Sequence, residues 1–381
     1  MTAEQARFDI AIAGGGPVGL ALARMLLARG VEASRITVID AKPLSEITRD
    51  PRAIALSQGS RQLLEQIHAW PTAATAITQI HVSRRASFGR ALIEADDYGL
   101  PALGYVCRYG DVVQALADHL SSTSIHQYRP ARILNSHETD EGVSLELSDG
   151  STLSANWLVQ AEGGIFGEQQ QRTMHRDYQQ HAIISTVWSS LPSPGRAFER
   201  FTEEGPLALL PLQEAYSLVW CVRPDKAEQL MALDDQQFLH ALQQTFGQRV
   251  GQFTRIAPRA SYVLGLNAQA ASSARKVAIG NASQTLHPVA GQGLNLGLRD
   301  ASVLAALLAR DMSPGSLTQF TAERQADRNT TIRLTDTMAR VFASAPDRSL
   351  TQDLLGLSLG LIDVLPPAKR LLAEQMMFGW R

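Results

Sequence analysis

The spacing Gly14-x-Gly16-x-x-Gly19 lies between an apolar run at residues 8–13 and a helical run at 20–28. In that setting each glycine has a task. Gly14 permits a tight turn, Gly16 lets the backbone approach a pyrophosphate, and Gly19 lets the helix pack closely on the strand. Pro17 stands in the same turn. The helix start offers unpaired N–H groups and a positive dipole end to an anion. Asp40 closes a second apolar run, residues 36–39, roughly 20 residues beyond Gly19. Its carboxylate can accept from both hydroxyls of a ribose and would repel a 2′-phosphate, which favours FAD or NAD over NADP here. The rival reading is a glycine-rich turn that holds nothing.

A second glycine-rich stretch spans residues 277–300. A short buried strand at 276–280 leads to Asn281, whose amide can hydrogen-bond a ribityl or ribose hydroxyl. Pro288 and the Gly291-Gln292-Gly293 turn then bring N–H groups to the start of a helix predicted over 294–309, with Asn295 in its first turn. A helix N-terminus aimed at a reduced flavin would stabilise negative charge near N1 and O2 of the ring. His287 precedes that turn and is the one candidate for proton transfer. The plain alternatives are a ligand-free strand-to-helix connection and an ordinary loop histidine.

Other chemistries lack their residues. Cys107 and Cys221 stand far apart in apolar surroundings with no CxxC, so a disulfide framework is excluded and a reducing, cytoplasmic setting is expected. No HExxH, Walker A or GxSxG sequence occurs, and no metal site is expected. Lys plus Arg total 35 against 37 Asp plus Glu, a net charge of −2 that argues against nucleic-acid binding. An apolar content of 45% and a charged content of 19% describe a globular chain. No stretch reaches the roughly 18 uninterrupted apolar residues of a membrane helix.

The elements that must position these residues follow from hydrophobic period. Residues 8–39 form one β-α-β unit with a right-handed crossover. Residues 143–147 and 152–159 read as a hairpin turning at Ser148-Asp149-Gly150. Strand-like runs at 182–188, 196–201, 207–212 and 216–222 predict a mostly antiparallel sheet, followed by a helix over 235–246. The last part, residues 317–377, is helical.

With these motifs in hand, the chain resembles the flavoprotein aromatic hydroxylases, in their ubiquinone-biosynthesis branch. The resemblance rests on Gly280-Asn281, Thr285-Leu-His-Pro288, Ala-Gly-Gln-Gly293, Asp50-Pro-Arg-Ala-Ile-Ala-Leu56, Arg196-Ala-Phe-Glu-Arg-Phe-Thr202, Gly205-Pro-Leu-Ala208 and Ser217-Leu-Val-Trp-Cys221. It runs from about Phe8 to the C-terminus. It implies an α/β fold: a Rossmann-like FAD-binding domain of the aromatic hydroxylase type, an inserted, mostly antiparallel substrate-domain sheet, and C-terminal helices. The expected boundaries are 1–175 with 275–345 for the FAD-binding domain, 176–274 for the sheet and 346–381 for a C-terminal helical segment. It also implies that Arg52 lies near the flavin or pyrophosphate and that Arg108 opens a helix touching the cofactor.

The activity implied is hydroxylation of a polyprenylated (methoxy)phenol by O₂ through a flavin C4a-hydroperoxide, with NADPH or NADH as donor. A related FAD oxidoreductase without oxygen transfer and an idle member of a ubiquinone-biosynthesis assembly are the alternatives. One motif departs from the family. Where an Asp-Gly pair is usual, this chain has Ala161-Glu-Gly-Gly-Ile-Phe166, which bears on reduction by the nicotinamide. Residues 354–380, rich in Leu and ending near Trp380, suit either peripheral membrane contact or packing onto the main domain.

Overall fold

The computed structural model describes residues 6–84, 90–163, 174–268, 273–286 and 291–343. Three sheets organise the chain. The first has seven strands in the order His126–Tyr128, Ile36–Ile39, Ala6–Ala13, Thr152–Gln160, Gly142–Leu147 and Ile133–Thr139, with Lys276–Ala278 pairing parallel to Thr152–Gln160. Ala6–Ala13 is central and parallel to both neighbours, and Ile10, Ala11, Ile12 and Ala13 are all buried. A strand covered on both faces must read as continuous apolar sequence, which this one does. Gly142–Leu147 instead alternates, with Val143, Leu145 and Leu147 buried between exposed Ser144 and Glu146, as an antiparallel strand with one wet face should. It forms the expected hairpin with Thr152–Gln160.

Helices Pro17–Leu27, Tyr109–Leu120 and Gly293–Arg310 cover this sheet and share one apolar core built around Leu20, Leu22, Leu116, Leu298 and Leu304. The 30-residue helix Pro314–Ala343 follows and packs against Gly293–Arg310.

The second sheet has nine strands and is mostly antiparallel. Its order is Gln284–Thr285, Ala260–Ala268, Met174–Ser189, Ala215–Val222, Pro206–Leu212, Arg196–Phe201, Gln79–Arg84 and Arg90–Glu94, with Phe253–Ile256 beside Met174–Ser189. Gln79–Arg84 and Arg90–Glu94 reach it from early in the chain, and the pairing of Gln79–Arg84 with Arg196–Phe201 is parallel. Helices Pro224–Ala232 and Asp235–Phe246 cover one face, packing Phe238, Leu242 and Phe246 on Ile183, Phe198, Leu209, Leu218 and Trp220. An Asp234–Gln237 capping box opens the second of these helices. The other face looks toward a small third sheet, in which Gly104–Arg108 lies between Ala53–Ser57 and Thr75–Ile77.

Candidate functional site

The first glycine loop is built as the spacing demands. Gly14 adopts φ +103°, its N–H donates to the Ile39 carbonyl at 2.7 Å, and a Cβ there would stand 2.6 Å from the Ala161 carbonyl carbon and the Glu162 nitrogen. A Cβ on Gly19 would overlap the Gly14 oxygen, so only glycine lets the helix sit this close to the strand. The helix begins at Pro17, and its cap residue Gly16 supplies no side-chain acceptor. Proline costs nothing there, since the first N–H groups of a helix have no partner within it.

Asp40 is tied into this loop. One carboxylate oxygen accepts from the Gly15 N–H at 2.6 Å and the other from the Lys42 N–H at 2.8 Å. Arg129, which the sequence reading did not single out, donates to the Gly15 carbonyl at 2.9 Å and sits 4.0 Å from Asp40. Its side chain is only 7% exposed and its Nε is buried without a partner among the described residues. Burial pulls its pKa down, against the pull of Asp40. Its only sequence signal is a position after the short strand His126–Tyr128, whose pairing with Ile36–Ile39 places it beside Asp40.

Arg52 and Tyr109 close another side. Arg52 makes a forked ion pair with Asp50, its Nη2 at 2.6 Å, and lies 5.0 Å over the Tyr109 ring. Burial would lower the Arg52 pKa, but the Asp50 carboxylate outweighs it. The Tyr109 hydroxyl is 2.8 Å from where a Gly16 Cβ would stand, and burial raises its pKa to about 12. Arg108 caps the Tyr109–Leu120 helix with its side chain exposed to solvent.

The second loop meets the first. Gly280 takes φ +59° against Val18, and a Cβ on Gly297 would stand 2.7 Å from Val18 and 3.1 Å from the Gly280 Cα. Gly291 takes φ +57°, and the helix Gly293–Arg310 starts without a side-chain cap on Gln292. The Asn281 Oδ1 lies 3.6 Å from a Cβ built on Gly293, so these two residues share one space. Asn295 ties this loop to its neighbours. Its Oδ1 accepts from the Ser57 N–H at 2.8 Å and the Ser60 hydroxyl at 2.7 Å, and its Nδ2 donates to the Gly291 carbonyl at 2.8 Å. The side chain pins the loop to the Ala53–Ser57 strand.

A buried ion cluster underlies the loop. Asp300, fully buried, accepts from Arg324 at 2.8 Å, Arg328 at 3.0 Å and the Gly280 N–H at 3.3 Å. Asp327 accepts from Arg299 at 2.8 Å and from Arg324 at 2.5 Å. Asp300 could have been noticed as a charge on an otherwise apolar helix face between Leu296 and Leu304. Its partners, some 24 and 28 residues on, could not.

Glu162 follows directly on Ala161, and its carboxyl is raised above the usual range by burial and by Asp40. His287, Pro288, Ile165, Phe166 and residues 346–381 lie outside the described residues. Among the described residues no cluster fit to hold a metal occurs, and no helix is long and apolar enough to cross a membrane.

A family model described as an FAD binding domain matches residues 7–334. The chain belongs to the FAD-binding aromatic hydroxylases, in the branch serving ubiquinone biosynthesis. It is 32% identical to the ubiquinone hydroxylase UbiL of Rhodospirillum rubrum, over 97% of this chain and 89% of that one. It is 27% identical to the zebrafish mitochondrial ubiquinone biosynthesis monooxygenase COQ6, over 99% and 90%. Among solved structures, p-nitrophenol 4-monooxygenase PnpA from Pseudomonas putida superposes with a TM-score of 0.80 at 16% identity, covering 99% of this chain and all of that one. The cofactor of this hydroxylase is FAD. The residues present fit it: two uncapped helix starts, a loop that any Cβ would obstruct, and a buried guanidinium nitrogen in want of a partner.

Proposed function

We propose that this chain hydroxylates a polyprenylated (methoxy)phenol, using FAD, O₂ and NADPH or NADH. The observation that carries the proposal is the meeting of two uncapped helix N-termini at Val18, Gly280 and Gly297, on the side toward which the large sheet turns its helix-free face. The phenolic substrate is supported by relatives named for ubiquinone hydroxylation.

Gly14, Gly16, Gly19 and the N-terminus at Pro17 would hold the pyrophosphate. Asp40, with lone pairs beyond those given to Gly15 and Lys42, would take the ribose hydroxyls. Asn281, Gly291, Gln292 and Gly293 would hold the ribityl chain and the ring, with the helix N-terminus facing negative charge on the pyrimidine side. FAD, when bound, supplies the activation of O₂ for transfer to an electron-rich ring. The protein's part is to orient that ring and exclude water. Ala182, Ile184, Val219 and Leu264 give the large sheet an apolar face for this purpose. On this reading residues 1–175 with 275–345 bind FAD, except that Gln79–Arg84 and Arg90–Glu94 join 176–274 in roofing the substrate. The apolar segment 346–381 brings the enzyme to the bilayer that holds a polyprenyl substrate, a point liposome flotation checks.

The test is complementation of a ubiquinone-deficient strain together with ¹⁸O₂ turnover. The reading requires restored ubiquinone and one labelled hydroxyl in the product. Turnover without label would instead mark an FAD oxidoreductase that does not transfer oxygen.

A further inference from the structure

Strand Arg196–Phe201 carries one acidic side chain, Glu199, and the sheet register fixes the face it occupies. Glu199 is directly opposite Ala208 on one side and Val82 on the other. Ala208 is opposite Val219, and Val219 is opposite Ile184. Directly opposed residues share a face. Glu199 therefore stands in a cross-strand row of otherwise apolar side chains. Its neighbour Phe198 belongs to the other face, packed on Phe246 beneath the two covering helices. Ala197, two positions away on the same face as Glu199, packs with Leu212 on Ile77, Val106 and Ala53 of the small sheet. Ala53 adjoins Arg52 and begins the strand that Asn295 ties to the Gly291 loop. Tyr262, opposite Ala182 on this face, lies close enough to Arg52 to act on its charge. Glu199 is thus the carboxyl that the roof of the site turns toward the cofactor side.

Nothing in the fold accounts for it there. Its Oε1 is sealed from solvent and has no hydrogen-bond partner among the described residues. Burial alone pushes its pKa up to about 8, which keeps it a neutral acid with both a donor and an acceptor to offer at neutral pH. The titratable groups sharing its face are the Cys221 thiol, itself raised by burial, and Tyr262, with Arg52 beyond. None of these forms a hydrogen bond to it. An unpartnered buried polar group costs stability, and a leucine or valine would fill an apolar row without that cost. A neutral carboxyl with one sealed, unpartnered oxygen on the ligand-facing side of a sheet is matched by a partner that both donates and accepts. A phenol hydroxyl does both.

Resting on the phenol hydroxylase reading above, we propose that Glu199 anchors the hydroxyl of the phenolic substrate and so sets which ring carbon faces the cofactor. The partner bond is a neutral pair: the acid donates to the phenol oxygen and accepts the phenol proton's hydrogen bond.

The experiment uses the full-length, FAD-loaded enzyme and two probes, 2-methoxy-6-prenylphenol and 1-methoxy-3-prenylbenzene, the ether in which hydrogen replaces the hydroxyl. Binding is read from the perturbation of flavin absorbance in wild type, Glu199→Leu and Glu199→Gln. Flavin content and melting temperature confirm folding. Glu199→Leu should keep its flavin and weaken phenol binding roughly ten- to a hundredfold, the scale of one hydrogen bond to a buried group. Ether binding should be equal in all three proteins, and Glu199→Gln should retain most phenol affinity, since an amide also donates and accepts. Equal phenol affinity in wild type and Glu199→Leu overturns the proposal. So does an equal loss for phenol and ether, which would make Glu199 a packing residue. Binding is independent of turnover, so failure of wild type to place ¹⁸O in the phenol would count against the hydroxylase reading alone.

Discussion

Replacing Asp300 with asparagine keeps the shape and an acceptor for the Gly280 N–H but removes the charge facing Arg324 at 2.8 Å and Arg328 at 3.0 Å. Both guanidiniums are buried, so neither can turn to water. Asp327, shared with Arg299, still faces Arg324 from 2.5 Å, whereas Arg328 loses its carboxylate partner altogether. Breaking a buried pair by removing one member costs about 3–5 kcal/mol. Part of that reaches the cofactor loop directly, because Arg328 also donates to the Ala278 carbonyl at 3.3 Å, just before Gly280. Asp300→Asn should therefore lower the urea midpoint of the apoprotein and the flavin content of the purified enzyme together. Adding Arg328→Met removes the stranded charge. The double variant should recover part of the stability, a coupling of about 1–3 kcal/mol for residues in one network. Simple additivity of the two changes, or a wild-type flavin content in Asp300→Asn, would refute the claim that this cluster supports the loop.

Three further outcomes follow from the same geometry. Gly19→Ala should lower the melting temperature, because its Cβ meets the Gly14 carbonyl, whereas Gly16→Ala meets only the tip of Tyr109 and should lower flavin content at near-normal stability; thermal melts with flavin quantitation distinguish them. Asp40→Ala should weaken FAD binding by about 1–3 kcal/mol, the scale of a charge-assisted hydrogen bond, and unchanged affinity by fluorescence titration would reduce Asp40 to a prop for Gly15. Glu199 has its folded pKa raised from 4.5 to about 8, so its proton is held in the folded state after the unfolded chain has lost it. Its contribution to stability is full below pH about 4.5 and is lost by about 1.4 kcal/mol per pH unit until about pH 8. Urea titrations of the apoprotein should show Glu199→Gln lacking that slope, and parallel curves would contradict it.

What could be read from the sequence was local. Helix Asp235–Phe246 and strands Ile36–Ile39 and Arg196–Phe201 fall at the expected residues, because capping, apolar runs and turn residues are encoded over a few neighbours. The hairpin of Gln79–Arg84 and Arg90–Glu94 escaped notice as part of the large sheet, since it joins through Gln79–Arg84 to Arg196–Phe201, over a hundred residues away, and nothing in either stretch names the other. The glycine loops were legible as motifs, but what surrounds them was not. Arg129, Tyr109 and the Asp300 cluster act at the site through contacts that only the folded chain creates. Asn295 is a further case: its place in the first turn of the helix was legible, but not its hydrogen bonds to Ser57, Ser60 and Gly291, which tie the loop to a strand far away in sequence.

The three sheets divide the work by what each backbone can present. The parallel sheet ends its central strand in a glycine turn, which puts a helix N-terminus, and so anion affinity, where a strand stops. That affinity is indifferent to what the reaction is, and it suits a cofactor common to many reactions. The antiparallel sheet has one face packed on helices and the other without helices, resting in part on the small sheet, so side chains at alternate positions away from that contact can be varied without disturbing the helix-covered core. Selectivity for a particular ring belongs on that face. A single carboxyl in an apolar row there can be exchanged at the cost of one hydrogen bond, while any change at Gly14, Gly19 or Asp300 moves backbone. The placement of Glu199 on the sheet, rather than in either loop, is thus what a residue concerned with substrate rather than with flavin should show.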